Sequence, residues 1–331
     1  MFLYDVSVII PVYNGERYLK DCLDSLKAQT LKNIQTIIVN DGSIDNSLKI
    51  IEEYSDDNVT VINKKNEGLG AARNTGLEYV KGKYIAFLDC DDVIDKNMYE
   101  AMYKKAEDNN LDIVICGTTY WFDDRDNINK VYDYFKEDKV YSNKDVLKEY
   151  LLDNVPGYAC DKLYKANLFN TGIRYSVGVY YEDTYTTARL FNKCERIGFI
   201  NEAFYKYRQW NEGISRNLTS KHVKDFSQQI NNVVNLLSED KKYEDLREYI
   251  EAFRINNMIT TITSHIKANN YERRKIYNTI KENNMLLDDI SLISIMKKKL
   301  VRKNSKIKII LWKLKIYDLV LKMKYGIKEG A

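Results

Sequence analysis

Proline is almost missing from this 331-residue chain, which has 2 Pro and 14 Gly, so neither a collagen-like nor a Pro-rich linker architecture fits it. With 2 His there is no basis for a His-rich metal site, and the 5 Cys are odd in number, widely spaced and without a CxxC pair. That pattern argues against a disulfide framework or structural zinc and for a reducing, cytoplasmic setting. Any metal would be held by carboxylates, which selects a hard cation such as Mg2+ or Mn2+. No run reaches the roughly 18 uncharged apolar residues of a spanning helix. The short apolar stretch at 6–13 follows Asp5 and no basic residue, unlike a signal peptide. What is present is a hydrophobic content of 44% with 27 Tyr, a composition that folds around a core.

Along residues 1–116 β-branched runs alternate with helical periodicity. Strands are expected at 6–12, 34–39, 59–62, 84–88 and 111–116, and helices at 16–29, 47–54, 69–80 and 96–108. Leu19, Cys22, Leu23 and Leu26 fall on one face of the first helix, and Asp45 or Asn46 can cap the second. Such alternation implies a mostly parallel sheet flanked by helices, an α/β fold whose ligands bind beyond the carboxyl ends of the strands. Three polar clusters sit there: Tyr13-Asn14, Asp41-Gly42-Ser43 and Asp89 to Asp92. Residues 117–215 are less regular. From about 220 the pattern is helical, at 223–237, 243–266, 271–283 and 288–302.

In Phe87-Leu88-Asp89-Cys90-Asp91-Asp92, carboxylates at i and i+2 of an extended strand point to one side, so Asp89 and Asp91 can converge. Close anions repel unless a cation lies between them, and a divalent ion bridging to a diphosphate neutralises a leaving group. A solvated acidic cap of the next helix fits the same letters. So does the nucleophilic aspartate of a haloacid-dehalogenase-type phosphatase, although that residue belongs near the start of a chain. Asp41 can accept a hydrogen bond from a base imide or form an Asx-turn, and Tyr13 can stack on a base. In Asn66 to Gly76, Arg73 can reach a phosphate, while the spacing matches neither GxGxxG nor a Walker loop. Tyr181-Glu182-Asp183 offers a general base or a helix-start acidic pair. Lys162 and Arg208 are cations available to phosphates.

Taken as an ordered set, SVIIPVYN (7–14), VNDGSIDNS (39–47), NEGLGAARNTGL (66–77), YIAFLDCDD (84–92) and YYED (180–183) resemble the family 2 glycosyltransferases over about two-thirds of the chain. The resemblance implies an inverting, nucleotide-sugar-dependent hexosyltransferase of GT-A fold; the helical pattern from about 220 sets the expected division into a catalytic domain, residues 1–218, and a helical C-terminal domain, 219–331. It implies that Tyr13 and Asp41, with Pro11 and Asn14 beside them, hold the base, expected to be that of a UDP donor. Asp89 would lie at the ribose or sugar, Asp91 would ligate Mn2+ or Mg2+ with Asp89 alongside, and Asp183 would deprotonate the acceptor hydroxyl. Arg73, Asn74, Lys162 and Arg208 complete the expected donor site. The QxxRW motif of processive, membrane-embedded members is missing; Tyr207-Arg208-Gln209-Trp210 has similar letters in another order. A non-processive enzyme is expected, acting on a cell-surface glycan, teichoic acid or lipid-linked acceptor.

The net charge of +3 conceals an asymmetry, because residues 296–331 hold 12 Lys/Arg against 2 Asp/Glu and leave the remainder acidic. Ile309, Trp312, Ile316, Leu319 and Met323 recur at helical spacing beside the lysines. This suggests an interfacial helix on an anionic membrane surface, peripheral to the inner face of the cell membrane, or a face packing on the body or on a second copy in a homo-oligomer. Nucleic acid is disfavoured by the acidity of the rest.

Overall fold

The computed structural model describes residues 2–122, 127–130, 135–209, 219–268 and 291–314. The chain divides into two compact units, Met1–Tyr150 with Asn154–Gly213, and Leu151–Asp153 with Ile214–Ala331.

The first unit carries the sheet. Its strands are β1 (Tyr4–Val12), β2 (Ile34–Asp41), β3 (Val59–Lys64), β4 (Gly82–Phe87), β5 (Val93–Ile94), β6 (Ile113–Phe122), β7 (Ile128–Lys130), β8 (Lys162–Lys165) and β9 (Ile197–Gln209). Its helices are α1 (Leu19–Lys27), α2 (Ser47–Glu53), α3 (Leu69–Leu77), α4 (Met98–Asp108), α5 (Asn143–Leu151) and α6 (Glu182–Lys193). The strand order is β3-β2-β1-β4-β8-β6-β9-β5, with β7 on β6. The block β3-β2-β1-β4 is parallel, built by the strand–helix alternation of the first half. The irregular middle then adds β8, antiparallel to both β4 and β6, making the sheet mixed beyond β4.

Residues Val6 to Val12 of β1 are buried on both faces, as a central parallel strand requires. Leu19, Cys22, Leu23 and Leu26 of α1 pack into one cluster with Val6, Val8 and Ile10 of β1 and Met98 and Met102 of α4. Each such aliphatic side chain contributes about 1.5–3 kcal/mol by burial. Pro11 ends part of the ladder: the Ile9 carbonyl accepts from Leu88 N–H at 3.0 Å, and the next backbone group on that side belongs to a residue with no N–H. Beyond Leu88 the chain is free to leave the sheet.

The second unit is helical: α7 (Ser220–Ser238), α8 (Arg247–Ala268), α9 (Leu292–Lys297) and α10 (Lys303–Lys313). The expected helix at 288–302 is broken. Lys298 is extended (φ −72°, ψ 112°), and buried Asn256 of α8 satisfies the interrupted backbone, donating to the Leu300 carbonyl (3.3 Å) and accepting from Arg302 N–H (3.0 Å). Ile309, which the tail pattern allowed either on a membrane face or packed on the body, is fully buried with Ala252, Ile255 and Ile259 of α8. The expected helix at 271–283 and the positions Ile316, Leu319 and Met323 lie outside the described residues, as does the side chain of Trp312. Among the described residues no helix is long and apolar enough to cross a membrane.

Candidate active site

Because β2, β1 and β4 are parallel neighbours, their carboxyl ends place Asp41 to Ser43, Tyr13-Asn14 and Asp89 to Asp92 side by side. The first two clusters are stitched together by short polar side chains. Asn14, at φ 50°, accepts from Ile44 N–H at 2.9 Å while its own N–H donates to Ser43 Oγ at 3.0 Å. Gly15 N–H donates to Ser47 Oγ at 2.8 Å, and Asp45 accepts from Ser47 N–H at 3.0 Å, the local turn that starts α2. Tyr13 projects from this frame with 51% of its surface exposed.

Asp41 is almost fully buried. Its carboxylate accepts from the N–H groups of Gly68 (2.8 Å) and Glu67 (3.1 Å) and pairs with Lys64 Nζ (3.3 Å). It pins the glycine-bearing loop before α3, and Gly42 makes this possible: its φ is +74°, and a Cβ there would stand 2.8 Å from Asn66 N.

The acidic run is a turn, closed by Asp92 N–H to the Asp89 carbonyl at 3.0 Å, so the same-side rule of an extended strand does not govern Asp89 and Asp91. Its geometry is set from behind. Buried Asp92 accepts from Tyr205 OH (2.5 Å) and Arg208 N–H (2.8 Å), and Cys22 Sγ lies 3.6 Å from the Asp89 carbonyl. Burial, then the charges of Asp91 and Asp89, raise the Asp92 carboxyl well above the ordinary range. Asp89 and Asp91 are half-buried at the rim of this turn.

Arg208, expected at a phosphate, makes its contacts within the protein. Its guanidinium lies between the rings of Tyr18 (4.3 Å) and Trp121 (4.2 Å), with Nε donating to the Asp91 carbonyl (3.0 Å) and one amino group to Asp21 (3.1 Å). It is a brace for the acidic turn. Lys162 is also diverted: fully buried, its ammonium donates to the Pro156 carbonyl (3.0 Å), the Tyr158 carbonyl (2.7 Å) and Asp161 (2.6 Å), one acceptor for each N–H. Asn74 exchanges two hydrogen bonds with the backbone of Tyr175 (2.8 and 2.9 Å) and so holds that segment on α3.

Arg73 is the junction. Only 2% exposed, it donates to Asp89 at 2.8 Å and to Glu182 at 2.6 Å, with the Tyr175 ring centroid 5.3 Å from its guanidinium. Its charge is committed to two carboxylates, one on the acidic turn and one at the start of α6. That helix begins after Tyr181 at φ 60°, a strained value for a bulky residue, and carries Glu182 and Asp183 in its first turn. Burial, then the adjacent Glu182 charge, push the Asp183 carboxyl up to about 7, with Arg73 pulling the other way. The charge of Asp89 also acts on Asp183, so turn and helix start form one electrostatic site. Asp21 and Tyr205, which hold Arg208 and Asp92, have no place in the pattern reading, and Glu182, read there as part of an acidic pair, is the ion-pair partner of Arg73. Only Glu182, beside Asp183, had any local signal.

Gly70 keeps α3 close to the segment after Tyr175. A Cβ at this position would lie 2.3 Å from the Ser176 carbonyl oxygen, which is backbone. Gly70→Ala is expected to lower stability by about 1–3 kcal/mol in urea unfolding, the typical effect of overpacking, and to weaken donor binding by moving Arg73. A stabilised variant would show that α3 can shift without cost.

A family model described as Glycosyl transferase family 2 matches residues 7–180. Glycosyltransferase GlyA of Streptococcus pneumoniae is 38% identical over 226 residues, which are 65% of this chain and 32% of GlyA, so the likeness spans about a third of that protein. Glycosyltransferase GlyG of the same species is 32% identical over 223 residues, 64% of this chain and 73% of GlyG. Among solved structures, residues 1–349 of S. aureus TarS in complex with UDP-GlcNAc superpose with a TM-score of 0.75 at 20% identity, covering 98% of this chain and 93% of that one. This likeness establishes the GT-A-type fold.

Proposed function

The chain belongs to glycosyl transferase family 2, and from that premise we propose an inverting, non-processive enzyme that moves a sugar from a UDP donor to a hydroxyl of a cell-surface glycan, teichoic acid or lipid-linked acceptor. The observation that carries the reading is the Asp89–Arg73–Glu182 bridge, which ties a carboxylate turn suited to a diphosphate to the helix start bearing Asp183. The UDP-GlcNAc bound to the TarS structure supports the choice of donor nucleotide. The five free cysteines support a cytoplasmic setting. Catalysis is assigned to residues 1–218, with 219–331 as a helical domain.

In this mechanism Tyr13 stacks on the base and Asp41, holding the loop at Glu67 and Gly68, shapes the edge of its pocket, with Pro11 and Asn14 fixing the end of β1. Asp89 faces the ribose or sugar. Asp183, ionised, takes the proton of the acceptor hydroxyl as its oxygen attacks the anomeric carbon. The bond from that carbon to the phosphate oxygen breaks with its electron pair leaving on UDP, so configuration inverts in one displacement. Among the described residues no group of three or more His, Cys, Asp or Glu forms a metal cage. Asp91, with Asp89 alongside on the same turn, would hold an ion such as Mg2+ or Mn2+. When bound, that ion would neutralise charge on the departing diphosphate.

The test is UDP release from a panel of UDP-sugars with added Mn2+. Asp91→Ala is expected to lower it by about 100-fold or more, a loss of the size seen when one charge-stabilising group is removed. Undiminished release from this variant, or phosphate release from simple phosphomonoesters, would overturn the assignment.

A further inference from the structure

Residues 291–314 contain 8 Lys/Arg and no Asp/Glu. α9 and α10 each spend one face inward, where Ile295, Val301 and Ile309 pack with α8. The opposite faces are apolar as well. Ile293 (71% exposed) and Met296 (55%) lie one turn apart on α9; Ile307 (48%) lies on α10 and Leu314 (55%) directly follows its last residue. Lys306 Nζ donates to the Met296 carbonyl at 3.1 Å and joins the two helices. Two cations are held by acids, Lys298 by Glu251 and Arg302 by Asp153, while Lys297, Lys299 and Lys303 are exposed.

Exposed aliphatic side chains set among cations suit a partner that accepts both. Nucleic acid would take the charge and leave the apolar side chains in water. A second copy docked on this face by twofold symmetry would bring two acid-free basic segments together. The interfacial zone of an anionic bilayer offers lipid phosphates to the lysines and acyl chains to Ile, Met and Leu. We propose that α9 and α10 form a docking surface for an anionic phospholipid membrane, through Ile293, Met296, Ile307 and Leu314 and not through the buried Ile309 stripe. The proposal goes beyond sugar transfer and does not depend on it.

The experiment is co-sedimentation of the full chain with phosphatidylcholine vesicles with and without phosphatidylglycerol. Binding is expected only with phosphatidylglycerol and is expected to fall as salt is raised. Ile307→Asp with Leu314→Asp should weaken it by about tenfold or more, as should Lys297→Glu with Lys299→Glu and Lys303→Glu. Both variants should retain the wild-type circular dichroism spectrum and UDP release. Equal binding of wild type and folded variants, or binding indifferent to phosphatidylglycerol, overturns the proposal. So does a dimer in light scattering that Ile307→Asp dissolves, which would make this face an interface between copies.

Discussion

Asp183→Asn is expected to lower kcat for sugar transfer by about 10²–10⁴-fold, the range for loss of a general base, while the KM for the UDP donor changes little. The pH profile of the wild-type enzyme should report the same group. Burial and Glu182 raise the Asp183 carboxyl to about 7, so the reactive carboxylate is populated above that pH and lost below it. kcat/KM should therefore climb with pH and level off past about 7. Because Glu182 and Asp183 titrate as neighbours, the limb belongs to the pair. Glu182→Gln removes the negative charge that raises Asp183 and leaves an acceptor for Arg73, so the limb should move to lower pH. A limb unmoved by Glu182→Gln, or a kcat unaffected by Asp183→Asn, would remove Asp183 from the role of base.

Arg73→Ala should be the most damaging single change to the site. It leaves Glu182 buried without its cation and breaks the bond that ties Asp89 to α3, so unfolding free energy in urea should fall by about 3–5 kcal/mol. Partial exposure of Asp89 places the effect toward the lower end. The sign of its pH effect is opposite to that of Glu182→Gln. Arg73 pulls the Asp183 carboxyl down, so its removal should push the activity limb to higher pH. Arg73→Lys keeps a charge but loses the guanidinium fork whose two amino groups each serve one carboxylate, so it should restore the pH limb more fully than the stability. Adding Glu182→Gln to Arg73→Ala should recover part of the lost stability. Full additivity in that double-mutant cycle would show that the pair is not coupled.

The parallel half of the sheet was legible because buried strands declare themselves by β-branched runs, and the polar residues that follow them mark the ends. The face of α1 was legible for the same reason of periodicity. β8 was not: four residues, Lys162 to Lys165, wedge between β4 and β6 and reverse the sense of the sheet, and so short a segment has no period to read. The cations show the deeper limit. Arg73, Lys162 and Arg208 all invite assignment to phosphate, yet the partners of Arg73 and Arg208 lie up to 109 and 187 positions away, and no local pattern announces such a pairing. The break between α9 and α10 likewise depends on Asn256, which a reading of residues 288–302 cannot include.

Pro11 has a consequence for how this sheet tolerates insertion and deletion. On the β4 side the ladder stops at Ile9 and Leu88 because the following position of β1 offers no N–H, whatever sequence β4 presents. A residue inserted after Leu88 would not lengthen β4; it would be passed outward into the acidic turn. The spacing between the sheet and Asp91 is thus metered by the partner strand, and changes in length at this point should be far rarer among functional variants than changes in the identity of the intervening Cys90.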